Sequence, residues 1–303
     1  MMDLSLRDLE YVAAIARERN ITRAATSLHM AQPALSQSLQ RIERRLGVRL
    51  FDRTSRQLRP TAAGAVLAAE AVGVLEQVRR AVDRTRVAGG LPQVVRIHVS
   101  EPSLATPRQI LAAARANMPR AAIHQTTLPR ADVADQLLDG SLHFAIAGAV
   151  RGDGLRSIRV RDERLGILIG ANHPLAAAEV ITPSQVAPYP VVAVDRTMSS
   201  WDAWVTRYLS RHGIEPHWTK EVIFGLSTGS DVLSDQQSVM LTLESVSRDL
   251  LQTLVWRPMS PSRTVPWFLT FRQAAADDDP AMTTVLRVAE RLITDHDWLE
   301  TPR

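Results

Sequence analysis

The chain has 303 residues, 45% of them apolar, which suits two or three separate cores better than one. It contains no cysteine, which excludes a disulfide framework and thiolate metal sites and fits a reducing compartment. The net charge of +4 is divided unevenly: residues 1–90 hold 15 arginines against 9 acids, net +6, while residues 91–303 hold 21 basic and 23 acidic residues, net −2. A basic head on a near-neutral body is the balance expected when the N-terminal part meets a polyanion.

The opening "MMDLSLRDLEYVAAIARE" has acids among its first ten residues and no apolar run of a secretory signal. No stretch approaches the roughly 18 uninterrupted apolar residues of a membrane span, so a cytoplasmic protein without a membrane partner is expected. Ser5 with Asp8 predicts a helix-opening cap, and Leu6, Leu9, Ala13 and Ala16 then recur at helical spacing. Thr22 is read as the cap of a short second helix holding Ala24, Ala25 and Leu28. Pro33 suits the first turn of a third helix, whose stripe Leu35, Leu39, Ile42 and Leu46 ends at Gly47. "VRLFDRTSRQLRPT" predicts two short extended arms around Thr54 and Ser55, a wing.

Thr61 can cap a long helix running to about Arg86, with Leu67, Ala71, Val74, Val78 and Val82 on one face. Its many alanines favour close approach by a second helix and so predict dimerisation. "AGGLPQ" at 88–93 is the clearest domain boundary. Beyond it, strands are expected at "VVRIHV", "AAIHQTTL" and "HFAIAG" and near 165–169, 190–194, 220–223, 238–243 and 265–271. Helices are expected at 107–117, 130–139, 199–212 and 280–297. Such alternation means an α/β domain with a largely parallel sheet, and two linked lobes accommodate its length better than one.

The stretch "MAQPALSQSLQRIERRLGVRLFDR", residues 30–53, allows two readings: a solvated amphipathic helix or one shaped for the major groove of DNA. Opposite its apolar stripe lie Gln32, Ser36, Gln37, Gln40, Arg41 and Arg44. Glutamine can pair with an adenine edge and arginine with a guanine edge, and serine can reach bases or phosphates. Arg49, Arg53, Arg56 and Arg59 on the wing would neutralise phosphates beside such a helix. Taken one at a time these residues suit a solvated face; together with the basic head they favour DNA.

Residues 21–64, "ITRAATSLHMAQPALSQSLQRIERRLGVRLFDRTSRQLRPTAAG", resemble the winged helix-turn-helix of the LysR-type transcriptional regulators. The motifs are "RAA" at 23–25, "QPALS" at 32–36, "LGVRLFDR" at 46–53 and the Thr61-to-Gly64 helix opening. The resemblance continues more weakly through 154–176 and 211–222. It implies a multidomain α plus α/β chain. Residues 1–60 would bind DNA, 61–88 would form a dimerising linker helix, and 89–303 would form a two-lobed effector domain resembling type 2 periplasmic binding proteins. Lobe 1 would comprise about 91–163 and 265–303, and lobe 2 about 164–264. It further implies a small-molecule effector, an interrupted palindrome in double-stranded DNA bound by a dimer or homotetramer, and RNA polymerase as partner of an activator. By position the matching DNA contacts are Gln32, Pro33, Ser36, Gln37 and Arg53, to which the polar face of the third helix and the wing add Gln40 and Arg56. Ala31 stands where the family often has serine or threonine, leaving the third helix without a side-chain cap. "SDQQSVMLTLES" at 234–245 also departs from the family's glycine-containing strand, so effector identity does not transfer.

In two-lobed α/β domains ligands bind at the carboxyl ends of strands. Here Ser100, Pro102 and Ser103 precede one helix, and Thr197, Ser199 and Ser200 precede another. Hydroxyls and free N–H groups at helix starts favour a small organic anion, with Phe224 as an apolar wall. The same hydroxyls are equally suited to serve only as helix caps. The eight histidines show no ligand spacing, and no nucleophile elbow, phosphate loop or dinucleotide fingerprint occurs. No cofactor, metal site or catalytic residue is therefore expected. The rival reading, an enzyme or solute-binding protein with an incidental basic head, has no motif behind it.

Overall fold

The computed structural model describes residues 4–53, 58–225, 232–235, 237–249, 253–275 and 279–300. The chain forms two compact units, Met1–Gln93 with Leu138–Gly140 and Val94–Leu137 with Ser141–Arg303. The first is a three-helix head, a hairpin and a long helix. Helix α1 (Leu6–Glu18) opens on a capping box in which Ser5 and Asp8 bond reciprocally. Helix α2 (Ile21–Ser27) is capped by Asn20, whose side chain accepts from Thr22 and Arg23 N–H; Thr22 is therefore already inside the helix and not its cap. An Asn oxygen reaches the orphan amides of the first turn as well as a threonine does, and it stands one residue before the helix starts.

Helix α3 (Gln32–Leu46) begins at Ala31 with no side-chain cap and ends at Gly47, whose φ of 69° is the left-handed stop that a side chain resists. Strands β1 (Phe51–Arg53) and β2 (Leu58–Pro60) pair antiparallel as the wing. Glu43 of α3 holds the base of this hairpin by accepting from the N–H groups of Leu50 and Phe51 at 2.8 and 3.2 Å. Helix α4 (Ala62–Ala88) is capped by Thr61. Ala24 and Ala25 of α2 are fully buried beside Ile15, Leu35, Leu39 and Ile42. Two methyl-sized side chains let three helices meet closely around one small core.

The second unit is built on two sheets that share one long strand. Its elements run β3 (Val94–Val99), α5 (Ala105–Asn117), β4 (Ala122–Thr126), α6 (Arg130–Leu138) and β5 (Phe144–Ala147). They continue as β6 (Leu155–Gly170), α7 (Pro183–Val186), β7 (Val191–Val194), α8 (Trp201–Ser210) and β8 (Trp218–Ile223). The unit closes with β9 (Met240–Leu243), β10 (Leu254–Pro258), β11 (Thr264–Arg272) and α9 (Pro280–Asp295). The first lobe orders its strands β4-β3-β5-β11-β6, with β3 parallel to β4 and β5, and β11 antiparallel to β5 and β6. Beyond Arg164 the same β6 leaves β11 and pairs with β9 and β10. Strands β7 and β8 join this second sheet through a parallel bridge from Val191 to Val239.

The expected strand at 165–169 is thus only the second half of a 16-residue strand. Its first half, "LRSIRVRDER", alternates weakly and carries charge, so periodicity hid it; antiparallel pairing with β11 along its length makes it a strand. Strand β10 was also missed, because it is short and ends in proline. The remaining expected elements of this unit are present, with α5 starting two residues earlier and α8 two residues later than the pattern suggested.

Strand β3 carries His98, 2% exposed, whose Nδ1 accepts from the N–H of Leu128 at 3.2 Å. Burial pushes its pKa down to about 4, so the ring stays neutral at pH 7. The unfolded chain, with an ordinary histidine near 6.5, takes up the proton first as pH falls. Stability is therefore complete above about pH 6.5 and declines toward pH 4, by roughly 3 kcal/mol from this residue. We expect urea midpoints of the wild type to fall across that window, and those of His98→Gln to fall measurably less.

Candidate nucleic-acid interface and inter-lobe cleft

On α3, Leu35, Leu39 and Ile42 of the apolar stripe are buried in the head core while Leu46 at its end is exposed; Gln32, Pro33, Gln37 and Gln40 are exposed and Ser36 is half-buried. These five expected DNA contacts therefore share one accessible face. Arg53 lies in β1 and Arg59 in β2, on the arms of the wing. Arg56, with Thr54 and Ser55, lies outside the described residues. At about 100° per residue around the helix, Glu43, which holds the wing, sits about 60° to one side of Gln40. Arg41 sits about 100° to its other side. The exposed face thus has the wing along one edge and a row of arginines along the other.

That second edge meets the start of α1 in a concavity of about 700 Å³. Arg45 pairs with the carboxylate of Asp8 at 3.2 Å, Arg41 donates to the hydroxyl of buried Ser38 at 2.9 Å, and Arg7 lies over the Tyr11 ring. Burial pulls the Asp8 carboxyl upward. Hydrogen bonds from the Ser5 backbone and hydroxyl, with the charges of Arg45 and Arg41, outweigh this and hold it below the usual carboxylate range. Nothing local links Arg45 to Asp8, 37 residues away.

Among the described residues of the second unit, the two lobes approach each other in several places. Near the carboxyl end of β3, the Glu101 carboxylate faces Gly225 of the second lobe. At the start of α6, the N–H of Arg130 donates to the Thr197 carbonyl at 3.0 Å. Near the crossing strand, the N–H of Ala105, first residue of α5, donates to the Ser245 hydroxyl at 3.1 Å. Of the expected effector residues, Ser100, Pro102 and Ser103 follow the carboxyl end of β3, and Thr197, Ser199 and Ser200 follow that of β7. Phe224, half-exposed, follows β8.

Several of those hydroxyls are already engaged. Ser103 donates to Glu101, Thr197 donates to Asp195 at 2.7 Å, and Ser199 accepts from the N–H of Trp201 at 3.1 Å. The Thr197 hydroxyl and N–H in turn hold the Asp195 carboxyl below its usual range. The leading amides of α5 and α8 are likewise bonded, to Ser245 and Ser199. Ser100 and Ser200 carry hydroxyls with no side-chain hydrogen bond among the described residues. Two residues that the sequence did not suggest, Glu101 and Arg130, bond to the Ser103 hydroxyl and to the Thr197 carbonyl.

Where β6 crosses between the lobes lies Glu163, 1% exposed. Its carboxylate accepts from the Thr106 hydroxyl of α5 and from the N–H of Ser245 at 3.4 Å, and Arg161 stands 3.5 Å away. Next to it Arg164 and Glu244 form a two-pronged pair at 2.7 and 3.0 Å. One buried carboxylate thus ties the first turn of α5 in the first lobe to the turn after β9 in the second. Among the described residues no cluster of histidine, cysteine and carboxylate side chains could hold a metal ion. No helix among them is long and apolar enough to cross a membrane.

Residues 6–65 match the family model described as bacterial regulatory helix-turn-helix protein, lysR family, and residues 88–292 match that of the LysR substrate binding domain. The chain is 31% identical over 189 residues to a hydrogen peroxide-inducible genes activator of Pectobacterium carotovorum subsp. carotovorum. That match covers 61% of this chain and 62% of the relative, so the chain spans less than two thirds of that protein. A probable cat1 operon transcriptional activator of Acinetobacter lwoffii is 26% identical over 306 residues, 98% of this chain and 99% of the relative. Among solved structures, full-length BenM superposes with a TM-score of 0.60 at 21% identity, covering 99% of this chain and 100% of BenM. Full-length CbnR in complex with its target DNA gives 0.60 at 21%, covering 95% and 100%. At such identity these two show the fold.

Proposed function

The chain belongs to the LysR family of DNA-binding transcriptional regulators, and on that premise we propose how its own residues divide the work. Residues 1–60 form the DNA-binding domain, 61–88 the dimerising linker helix and 89–303 the effector domain. Within the last, lobe 1 comprises about 91–163 and 265–303 and lobe 2 about 164–264. Gln32, Ser36, Gln37 and Gln40 read base edges in the major groove, Pro33 lets the helix start lie close to it, and Arg53 and Arg56 grip phosphate. The observation that carries this reading is the exposed face of Gln32, Ser36, Gln37 and Gln40 on α3 beside the wing, in residues 1–90 of net charge +6.

Along α4, Val74, Val78 and Val82 recur every fourth residue and are exposed. This stripe supports pairing of two linker helices, and hence a dimer, or a tetramer of two dimers, on an interrupted palindrome. The regulator works in the cytoplasm at the nucleoid, and an activating role would engage RNA polymerase. The effector is a small organic anion held in the cleft by Ser100, Pro102, Ser103, Thr197, Ser199 and Ser200 against Phe224. Because several of these hydroxyls already serve their own turns, Ser100 and Ser200 are its first direct contacts. An effector that prefers one arrangement of the lobes shifts an existing equilibrium of the oligomer. The peroxide-responsive relative does not extend to sensing by thiolate oxidation, since none of the 303 residues is cysteine.

A mobility-shift titration on DNA upstream of the protein's own coding region tests both halves, run with and without a panel of carboxylates. We expect salt-sensitive, sequence-selective retardation that Gln37→Ala weakens on this duplex by about tenfold, one base contact's worth. A carboxylate that alters the wild-type shift should act more weakly on Ser100→Ala. Retardation equal on scrambled DNA would end the regulator reading, and an unchanged carboxylate response would end this placement of the effector.

A further inference from the structure

The concavity between α1 and α3 is left unused by the reading above. Its walls bring three arginines from two helices to one opening. Arg7 comes from the first turn of α1, and Arg41 and Arg45 from the later half of α3. The guanidinium groups are held in place by neighbours: Arg41 by Ser38, Arg45 by Asp8, and Arg7 over Tyr11. Against these three positive charges stands the single carboxylate of Asp8, itself bonded to Ser5 and Arg45. The opening therefore keeps a net positive charge of two, on side chains ordered in advance.

Its place on the helix surface gives this charge a direction. Gln37, Arg41 and Arg45 follow one another at steps of four, so they form a single ridge that turns slowly from the base-reading face into the concavity. On the opposite edge of that face Glu43 anchors the wing. A major groove is bordered by a phosphate row on each side, and the wing accounts for only one of them. We propose that this concavity is a second phosphate-binding site. In it Arg7 and Arg41 clasp the DNA backbone on the groove edge opposite the wing, and Arg45 is held beside them by Asp8. The proposal rests on α3 being the groove-binding helix. It assigns to the head a grip on both borders of the groove, which fixes the depth and tilt of the helix without reading sequence.

The test uses the full chain in fluorescence anisotropy at several salt concentrations, on the upstream duplex and on a scrambled duplex of equal length. Both arginines are exposed, so Arg7→Ala/Arg41→Ala should fold as the wild type does, which its circular dichroism spectrum would verify. We expect the double variant to bind both duplexes more weakly by the same factor, on the order of tenfold or more. The slope of log affinity against log salt should fall by about two, one for each lost phosphate contact. The ratio between the duplexes should stay as in the wild type, whereas Gln37→Ala should lower that ratio and leave the slope alone. Arg7→Lys/Arg41→Lys, which keeps the charges, should recover most of the slope. Unchanged affinities and slope in the alanine variant would overturn the proposal. A loss confined to the upstream duplex would overturn it too, because the arginines would then be reading bases. If the wild type showed no preference between the duplexes, the regulator reading would fail, and the slope on either duplex would still decide this site.

Discussion

Gly64→Ala should lower the melting temperature of the N-terminal unit by roughly 15 °C, corresponding to about 3 kcal/mol in a domain of this size. A methyl group on Gly64 would lie 1.8 Å from the carbonyl oxygen of Leu50 and 2.8 Å from its carbon. Neither atom belongs to a flexible side chain that could turn away. The same carbonyl accepts from the N–H of Thr61 at 2.9 Å, and the Thr61 hydroxyl caps α4 through the Gly64 N–H at 3.1 Å. The first turn of α4 is thus clamped against the base of the wing, and relieving the overlap means breaking the clamp. Gly73, in the same helix, has nothing within 4 Å of its missing methyl. There alanine should be neutral or stabilising by up to about 1 kcal/mol through helix propensity. All six tryptophans lie in the second unit, from Trp201 to Trp298. A Gly64→Ala melt should therefore shift in far-ultraviolet circular dichroism and leave the tryptophan fluorescence transition in place. Wild-type melting by both probes would refute the clamp.

Glu163→Ala should cost the second unit about 3–5 kcal/mol, because it leaves the largely buried Arg161 without its carboxylate and strips the partner from Thr106 and from the Ser245 N–H. Glu163→Gln keeps an acceptor and removes only the charge, so a smaller loss is expected. Urea unfolding followed by tryptophan fluorescence reads this directly, and a midpoint equivalent to less than about 1 kcal/mol of loss would remove Glu163 from this role. Because the carboxylate joins elements of both lobes at the strand that crosses between them, both variants should also alter the DNA-binding response to a cleft ligand.

The head was readable from sequence almost residue by residue. Its caps, the Leu35-to-Leu46 stripe, Pro33, Gly47 and Thr61 are signals that act within one or two turns of a helix. Two details slipped: Thr22 was chosen over Asn20, a capping residue two positions away, and the buried face of α1 is Tyr11, Val12, Ala14 and Ile15 where the spacing suggested Leu6, Leu9, Ala13 and Ala16. The second unit was readable where strands were apolar and separated by helices. It failed at the first half of β6, which is charged and depends on β11 for its hydrogen bonds. That Ser100 to Ser103 follow β3 and Thr197 to Ser200 follow β7 was legible, yet sequence could not tell which of their hydroxyls bond within their own turns.

By itself the sequence determined the order and kind of most elements, the basic head and the polar face of α3, because these follow from interactions a few residues apart and from composition. Only the tertiary structure decided which distant groups meet. Asp8 finds Arg45 across 37 residues, Thr106 finds Glu163 across 57, and Ser245 finds Glu163 across 82. Such pairs leave no periodic trace along the chain. They exist because packing brings the elements together and because a buried charge is costly unless a partner lies within reach.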